Sequence, residues 1–561
     1  MVVGAAGFEP ATSCSQSRRA ARLRHAPSVR RLPRLLPGPA EGVGLQSAPI
    51  HPAPRSAPLS LAPTSPRPFA SWLQSPIAIV AIALLVTVAA ILLARVSTIG
   101  LVGAGLALVG LVAYAAFRWP HASIVLVVLG PIVDRYLVAG LLPVQVVPLA
   151  HYFSEALLLS VTIALLARAA RQDRLVAAFR HPVTALLGAF SLVALVSTLV
   201  NAVPPHVAVL GMVFTLDAAV LFFLPRLVAW STRQMVWAVG AFLAIVVAAA
   251  LVALAQALLR PDLLGLYVMT GQFGELYRLG AFIGDPNVLG AFITAAAPFA
   301  LLAATHLDSQ RHRRIAVAIA FLLMLILWLT FSRGAWLALA VSTIAVLAWF
   351  GRRTLVLSLA ILVLSFLTAN FMPRDLILFD GQGGVRPNVI GSTFDRMGAV
   401  GEGRDLRIRF VINALPIIAD HPLIGVGPGR WGGAVAYDFR SPLYEEYGTD
   451  EVFDLYPQRT VDNFWLHLLV EFGFIGVAAF VAAAAVPGLR ILAAARRAAG
   501  LDRVLLGGIA TATVALAVSS VTTMLLEANS VAFLFWFLLG LGTIAAARVT
   551  RTRSSDTGDA R

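Results

Sequence analysis

Long apolar runs alternate with short polar breaks from residue 76 almost to the C-terminus. Each run is close to the length that a helix needs to cross about 30 Å of hydrocarbon at about 1.5 Å per residue. The pattern therefore predicts an all-α polytopic membrane protein with about 12–14 transmembrane helices. The predicted spans are 76–94, 99–117, 121–141, 149–167, 183–200, 207–224, 235–257, 287–305, 315–331, 335–350, 354–371, 463–487, 504–524 and 531–547.

The composition supports this class. Of the 561 residues, 59% are hydrophobic and 13% are charged, whereas a soluble domain carries about 25% charged residues. The net charge of +15 comes from arginine alone, since the sequence contains no lysine. Such a balance is typical of cytoplasmic loops of membrane proteins, and we predict no nucleic-acid partner. The single cysteine, Cys14, excludes an intrachain disulfide.

Residues 1–75 differ from the rest of the chain. They hold nine arginines and 12 of the 32 prolines, a density that leaves no apolar period. We expect a disordered, basic segment without the apolar region of a secretory signal. Three interpretations remain open: a cytoplasmic tail, an unusual targeting segment, or a start codon placed too far upstream.

Arginine distribution predicts the orientation. One set of alternate loops is rich in arginine, whereas the opposite short loops at 201–206 and 527–530 contain none. Because positive residues are retained inside, we expect both termini to be cytoplasmic in an inner (plasma) membrane protein. The predicted organisation is N-terminal helices over 76–371, an extracytoplasmic loop over 372–462, C-terminal helices over 463–547, and a tail over 548–561.

Four polar clusters fall on the predicted outer face. They are Arg278 to Asn287, Ser332-Arg333-Gly334, Gly403-Arg404, and Asp462-Asn463 followed by Gly473 and Gly476. Between the last two lies the glycine-rich stretch from His421 to Trp431. Without a preceding strand, this stretch is more typical of a tight turn than of a nucleotide-binding fingerprint.

Three arginines on the predicted outer face require an explanation, because positive-inside sorting disfavours arginine on that side of the membrane. Guanidinium groups bind phosphate through paired hydrogen bonds, especially at a partly dry interface. A lipid carrier with a diphosphate head would present its charge at this depth. The alternative is that Arg278, Arg333 and Arg404 reach lipid phosphates or pair with loop carboxylates.

In their order, these clusters resemble the O-antigen ligase and O-antigen polymerase family of bacterial membrane glycosyltransferases. The resemblance covers roughly Arg278 to Gly476. Its most specific pieces are Phe331-Ser332-Arg333-Gly334-Ala335-Trp336, His421-Pro422-Leu423-Ile424-Gly425-Val426-Gly427, and Asn463 with nine residues before Gly473 and then Gly476.

The resemblance implies transfer of a glycan from undecaprenyl diphosphate to a hydroxyl of a glycan or lipid-core acceptor outside the membrane. It implies neither a metal nor another cofactor. Arg278, Arg333 and Arg404 would hold the diphosphate and stabilise it as it leaves. Asn287, Ser332, His421 and Asn463 would support the site.

The chain departs from the family where the acceptor base is expected. The ligase pattern places a histidine immediately before the asparagine, and here that residue is Asp462. A carboxylate with a pKa near 3.9 is a weak base unless burial raises it. His467, about one helical turn further, is the other candidate. We favour Asp462 by position, and we expect a polymerase or ligase of surface polysaccharide.

Two other functions remain open. Asp217 falls in the middle of a predicted span, where a charge marks a pathway or pairs between helices. A transporter of a small anion such as bicarbonate is therefore the alternative, although no internal repeat supports it. A non-catalytic scaffold for envelope assembly is the third.

Overall fold

The computed structural model describes residues 109–141, 153–259, 278–345, 347–371, 406–449 and 460–558. These residues all lie in one compact unit, Arg67–Arg561. Within the described ranges the regular structure is helical, with no strand. The predicted all-α class is confirmed.

The α-helices are numbered in chain order. Their bounds are α1 Val109–Arg118, α2 Pro120–Leu141, α3 Phe153–Arg171, α4 Leu175–Phe179, α5 Pro182–Val200, α6 Pro205–Leu216, α7 Val220–Phe223, α8 Thr232–Leu258, α9 Pro286–His306, α10 Gln310–Leu329, α11 Arg333–Ala345, α12 Arg352–Phe371, α13 Leu406–Asp420, α14 Ala434–Asp438, α15 Leu443–Glu446, α16 Phe464–Arg497, α17 Gly500–Ser519 and α18 Asn529–Gly558. Short 3₁₀ turns occupy Asp217–Ala219, Leu224–Leu227, Ala281–Ile283 and Leu347–Phe350.

Among the described residues, nine helical segments are long and apolar enough to cross a membrane. Each overlaps a span predicted from the sequence. The predicted span 335–350 is instead the shorter helix α11 followed by a 3₁₀ turn. The helices α2 and α3 form where spans were predicted, but neither is among the nine. The total of 12–14 stays a prediction, because all of the first predicted span and part of the second lie outside the described residues.

Local sequence explains where several helices begin. Asp285 accepts hydrogen bonds from the backbone N–H of Asn287 and Val288, and Pro286 occupies the first turn of α9. Ser231 and Gln234 form a reciprocal capping box at the start of α8. These side chains satisfy donors that the first helical turn leaves free.

Of the nine candidate spans, α9 and α18 have the largest share of residues buried inside the protein. Aromatic rings of α16 pack with α5 and α18, where Phe480 lies 5.6 Å from both Phe190 and Trp536. In contrast, α5 and α12 expose much of their apolar surface. Exposed apolar surface of this kind is stable in contact with the hydrocarbon of a bilayer. The chain is therefore a multi-pass membrane protein.

Arginine-bearing loops meet at one end of the helices, called here the arginine-rich end. Arg226 donates to the Ala178 carbonyl and to Thr543, and the guanidinium of Arg496 lies 3.5 Å from the ring centre of Trp349. The opposite end, called the site end, contains the starts of α9, α11, α16 and α18 and the ends of α5, α10 and α17. The polar residues of interest lie there.

Candidate functional site

The glycine-rich stretch pairs with a break in α16. Gly473 has non-helical backbone angles (φ 63°, ψ −175°) inside this 34-residue helix. The backbone N–H groups of Val426 and Gly427 donate to the carbonyls of Val470 and Glu471, at 3.0 and 2.9 Å.

On the other side of the break, Phe474 and Ile475 donate to the carbonyls of Pro422 and Leu423, at 2.8 and 3.1 Å. Backbone groups that the break frees are thus satisfied by the segment 422–427. The glycines are required by close approach: a Cβ on Gly473 would lie 2.4 Å from the backbone of Leu423. The stretch forms a turn, as the sequence predicted, and the structure adds that this turn braces the break in α16.

Two buried side chains of α16 face this turn. Glu471 is fully buried, and its two carboxylate oxygens accept from the backbone N–H groups of Gly429 and Trp431, both at 2.9 Å. His467, one turn earlier, is 3% exposed, and its Nδ1 lies 2.6 Å from the Trp431 carbonyl oxygen. The turn therefore fixes the orientation of both side chains.

A second carboxylate approaches His467 from another part of the chain. Glu527 lies in the connection between α17 and α18, and its Oε2 is 3.9 Å from His467 Nε2. Glu471 Oε2 is 3.7 Å from the same nitrogen. Burial raises the pKa of Glu527, and the nearby carboxylates of Glu471 and Asp217 act in the same direction, whereas His467 opposes them.

Asp462 is engaged by an arginine. Its Oδ2 accepts from Nε and Nη2 of Arg407 on α13, at 3.1 and 2.8 Å. The carboxylate is 5% exposed and the arginine side chain 38% exposed. Asn463 beside it caps α16, because its Oδ1 accepts from the Leu466 N–H at 3.0 Å.

The first two polar clusters converge on Asn287. Its side-chain oxygen accepts from Arg278 Nη2 at 2.7 Å and from the Ser332 hydroxyl at 3.1 Å. Arg278 Nε also donates to the Thr330 carbonyl at 2.9 Å. Arg333, the first residue of α11, follows directly. The structure thus brings Arg278, Asn287, Ser332 and Arg333 to one place.

The connection 520–528 joins this cluster to the region of His467. A Cβ on Gly334 would lie 1.7 Å from Thr522 Oγ1, so the start of α11 packs directly on the connection. Ser520 accepts through its carbonyl from the Phe464 N–H, at the start of α16. Glu527, near the end of the same connection, reaches His467.

Two predicted site residues contribute less to this geometry. Arg404 lies outside the described residues. The backbone carbonyl of His421 accepts from the Gly425 N–H, and the half-buried side chain starts the glycine-rich stretch. The roles assigned to all nine predicted residues stay predictions.

Sequence reasoning missed Glu527 and the role of Arg407 as the partner of Asp462. The signal for Glu527 was a carboxylate in an arginine-free loop at the site end. Two groups near Glu471 are also perturbed by burial, which raises the pKa of Tyr444 and lowers the pKa of Arg430. Tyr444 accepts from the Gly432 N–H at 3.1 Å.

Asp217 is one of the residues that line an apolar cleft between α5 and α6. The cleft has a volume of about 860 Å³, and the lining from Ser191 to Asp217 contains no basic side chain. Gly211 on α6 lies against the backbone of Gly429. The glycine-rich turn therefore packs against one of the two helices that line the cleft.

Residues 291–481 match the family model described as O-antigen ligase. The match extends from α9 into α16, so it includes Ser332, Arg333, the glycine-rich stretch and His467. Arg278 and Asn287 precede the match, and Glu527 follows it. The resemblance deduced from the motifs is confirmed. A comparison with curated proteins gave no match.

Proposed function

We propose that the chain, which matches the O-antigen ligase family over residues 291–481, is a membrane glycosyltransferase of surface polysaccharide. It transfers a glycan from an undecaprenyl diphosphate carrier to a hydroxyl of a glycan or lipid-core acceptor. The observation that carries the proposal is the convergence of Arg278, Asn287, Ser332 and Arg333. The connection 520–528 links this cluster to a buried histidine.

The arginines supply the main electrostatic contribution. In the reaction, the acceptor oxygen bonds to the anomeric carbon while the bond from that carbon to the diphosphate oxygen breaks. The electron pair leaves with the diphosphate, and the proton of the acceptor hydroxyl passes to a protein base. Arg278 and Arg333, together with Arg404, stabilise the charge that develops on the leaving group. The mechanism requires no metal.

The site end faces the extracytoplasmic side in this proposal. The arginine-rich end then lies in the cytoplasm with both termini, in agreement with positive-inside sorting. The carrier's isoprenoid tail stays in the bilayer of the inner membrane, while its diphosphate reaches the starts of α9 and α11.

Reconstituted protein provides the test. Wild-type protein in lipid vesicles, given a defined carrier-linked oligosaccharide, is expected to elongate it or to transfer it to an added acceptor. Arg278→Ala and Arg333→Ala are expected to lose transfer by about 10²-fold or more, the typical effect of removing one stabilising donor. Arg311→Ala, an exposed arginine at the opposite end, is the matched control. Normal transfer by both site variants would contradict the proposal.

Anion transport is the second candidate, and its observation is Asp217 beside the cleft. The absence of a basic residue from the cleft lining disfavours it. Bicarbonate uptake by the same vesicles, with wild-type protein and Asp217→Asn, separates the two functions. Uptake that depends on Asp217, without glycan transfer, would favour the transporter.

A further inference from the structure

The protonation of His467 follows from its contacts. Its Nδ1 lies 2.6 Å from the carbonyl oxygen of Trp431. A carbonyl oxygen only accepts, so Nδ1 carries the hydrogen. In the neutral ring, the lone pair is therefore on Nε2. This nitrogen faces Glu471 and Glu527 and is the position that can accept a proton.

The distances around Nε2 suit a bridging oxygen. The separations of 3.7 Å to Glu471 Oε2 and 3.9 Å to Glu527 Oε2 are too long for direct hydrogen bonds. An oxygen atom at about 2.8 Å from each partner can join two atoms this far apart. A hydroxyl placed there has a single hydrogen, which it would donate to the lone pair of Nε2, because neither Nε2 nor an unprotonated carboxylate has a hydrogen to donate to it.

Glu527 has a carboxylate oxygen available for a hydrogen bond next to His467, whereas Glu471 does not. Both oxygens of Glu471 already accept backbone N–H groups. The buried Oε2 of Glu527 has no hydrogen-bond partner among the described residues. Glu527 is also held in place, because Thr522 packs on Gly334 and the adjacent Asn529 donates to Glu155 at 2.6 Å.

Asp462 is less suited to accept a proton. Two guanidinium nitrogens of Arg407 donate to its Oδ2, so this oxygen is already engaged as an acceptor. The family position of the base is thus occupied by an ion pair. His467 instead has its Nδ1 on a carbonyl oxygen, and its Nε2 faces the side chains of Glu471 and Glu527.

We propose that His467 Nε2 takes the proton of the acceptor hydroxyl and that Glu527 is the positioning residue of this base. This inference rests on the proposed glycosyl transfer. The hydroxyl O–H bond breaks, its oxygen bonds to the anomeric carbon, and the electron pair of the broken glycosyl bond leaves with the diphosphate. The proton stays on His467, beside the Glu527 carboxylate, until the products are released.

Other ionisable groups lie near His467 and Glu527. Glu471 lies on the same helix, Asp217 comes from the α6 side, and the buried Tyr444 and Arg430 come from the loop between α13 and α16. Because Glu527 Oε2 lies 3.9 Å from His467 Nε2, a change at Glu527 is expected to alter the pH dependence of transfer. Rates are expected to fall at low pH, because a protonated base cannot take the proton of the acceptor hydroxyl.

The test measures kcat of transfer against pH for purified protein in vesicles with a carrier-linked oligosaccharide. His467→Asn keeps a donor for the Trp431 carbonyl but removes the proton acceptor, and kcat is expected to fall by about 10²- to 10⁴-fold. Glu527→Gln removes the negative charge. The acidic limb of the profile is expected to move to lower pH, because the proton accepted at Nε2 loses a neighbouring carboxylate.

Three further variants make the result decisive. Glu527→Asp keeps the charge, and a limb near its wild-type position is expected. Asp462→Asn is expected to keep the limb even where kcat falls. Glu445→Gln, an exposed carboxylate, is the matched control and is expected to leave the profile unchanged. Thermal unfolding of each variant in detergent separates loss of fold from loss of function.

A wild-type limb in Glu527→Gln would overturn the proposal, as would loss of the limb in Asp462→Asn alone. Either result leaves glycosyl transfer intact as the function. If the wild-type protein transfers no glycan, the proposed function itself fails, and the role of the pair in it fails too.

Discussion

Replacing Gly473 by alanine tests whether the break in α16 is braced by the glycine-rich turn. At φ 63° and ψ −175° the backbone lies in a region that is essentially restricted to glycine, and an alanine there costs about 1–3 kcal/mol. Its Cβ would lie 2.4 Å from the backbone carbon of Leu423. To reach an ordinary contact distance, the turn must move by about 1 Å.

That displacement affects four backbone hydrogen bonds between segments 422–427 and 470–475. Each contributes about 0.5–1.5 kcal/mol net, so their loss costs about 2–6 kcal/mol. Together with the strain of the alanine backbone, the expected loss in unfolding free energy is about 3–9 kcal/mol. This is a large part of the 5–15 kcal/mol that typically separates folded from unfolded domains.

The assay is thermal unfolding in detergent, followed by size-exclusion chromatography of the heated protein. Gly488→Ala is the matched control, because Gly488 lies in the same helix and a Cβ there meets no atom within 4 Å. The control is expected to be neutral or more stable by up to about 1 kcal/mol. Equal unfolding temperatures for the two variants would refute the bracing role of the turn.

Three further predictions concern charge and topology. Arg278→Lys is expected to lower transfer at least about 10-fold, because one ammonium cannot reproduce two separate guanidinium contacts; wild-type kinetics would contradict this. A double-mutant cycle of Arg407→Ala and Asp462→Ala is expected to give a coupling of about 1 kcal/mol in unfolding free energy, whereas additive effects would deny the ion pair a role in stability. In a background without the native cysteine, Leu423→Cys is expected to react with an impermeant maleimide in intact spheroplasts and Asp308→Cys only after lysis. Labelling of both from one side would contradict the proposed orientation.

Much of the fold follows from the sequence because hydrocarbon thickness limits the length of each apolar run. The limits of single helices are harder to predict. The predicted span 463–487 is shorter than the helix, because α16 continues through Pro487 to Arg497. The apolar residues at 347–350 were assigned to a span, yet they form a 3₁₀ turn after α11. Composition does not distinguish these alternatives, because each is decided by packing between helices.

The sequence predicted which motifs belong to the candidate site, but it did not predict which of their residues contact each other. The spacing from Asn463 to Gly473 and Gly476 was part of the family resemblance, but nothing in the local sequence identifies segment 422–427 as the partner of the break at Gly473. Likewise, Asp462 was favoured as the base because of its position in the motif. Its contact with Arg407 and the approach of Glu527 to His467 join residues that are 55 and 60 positions apart, and tertiary structure alone brings them together.

The break at Gly473 has a consequence for biogenesis. As α16 leaves the ribosome and enters the bilayer, its own sequence does not satisfy the carbonyls of Val470 and Glu471 or the amides of Phe474 and Ile475. Their partners were synthesised earlier, in the segment 422–427. The segment that satisfies these groups is therefore already present when the later helix is made.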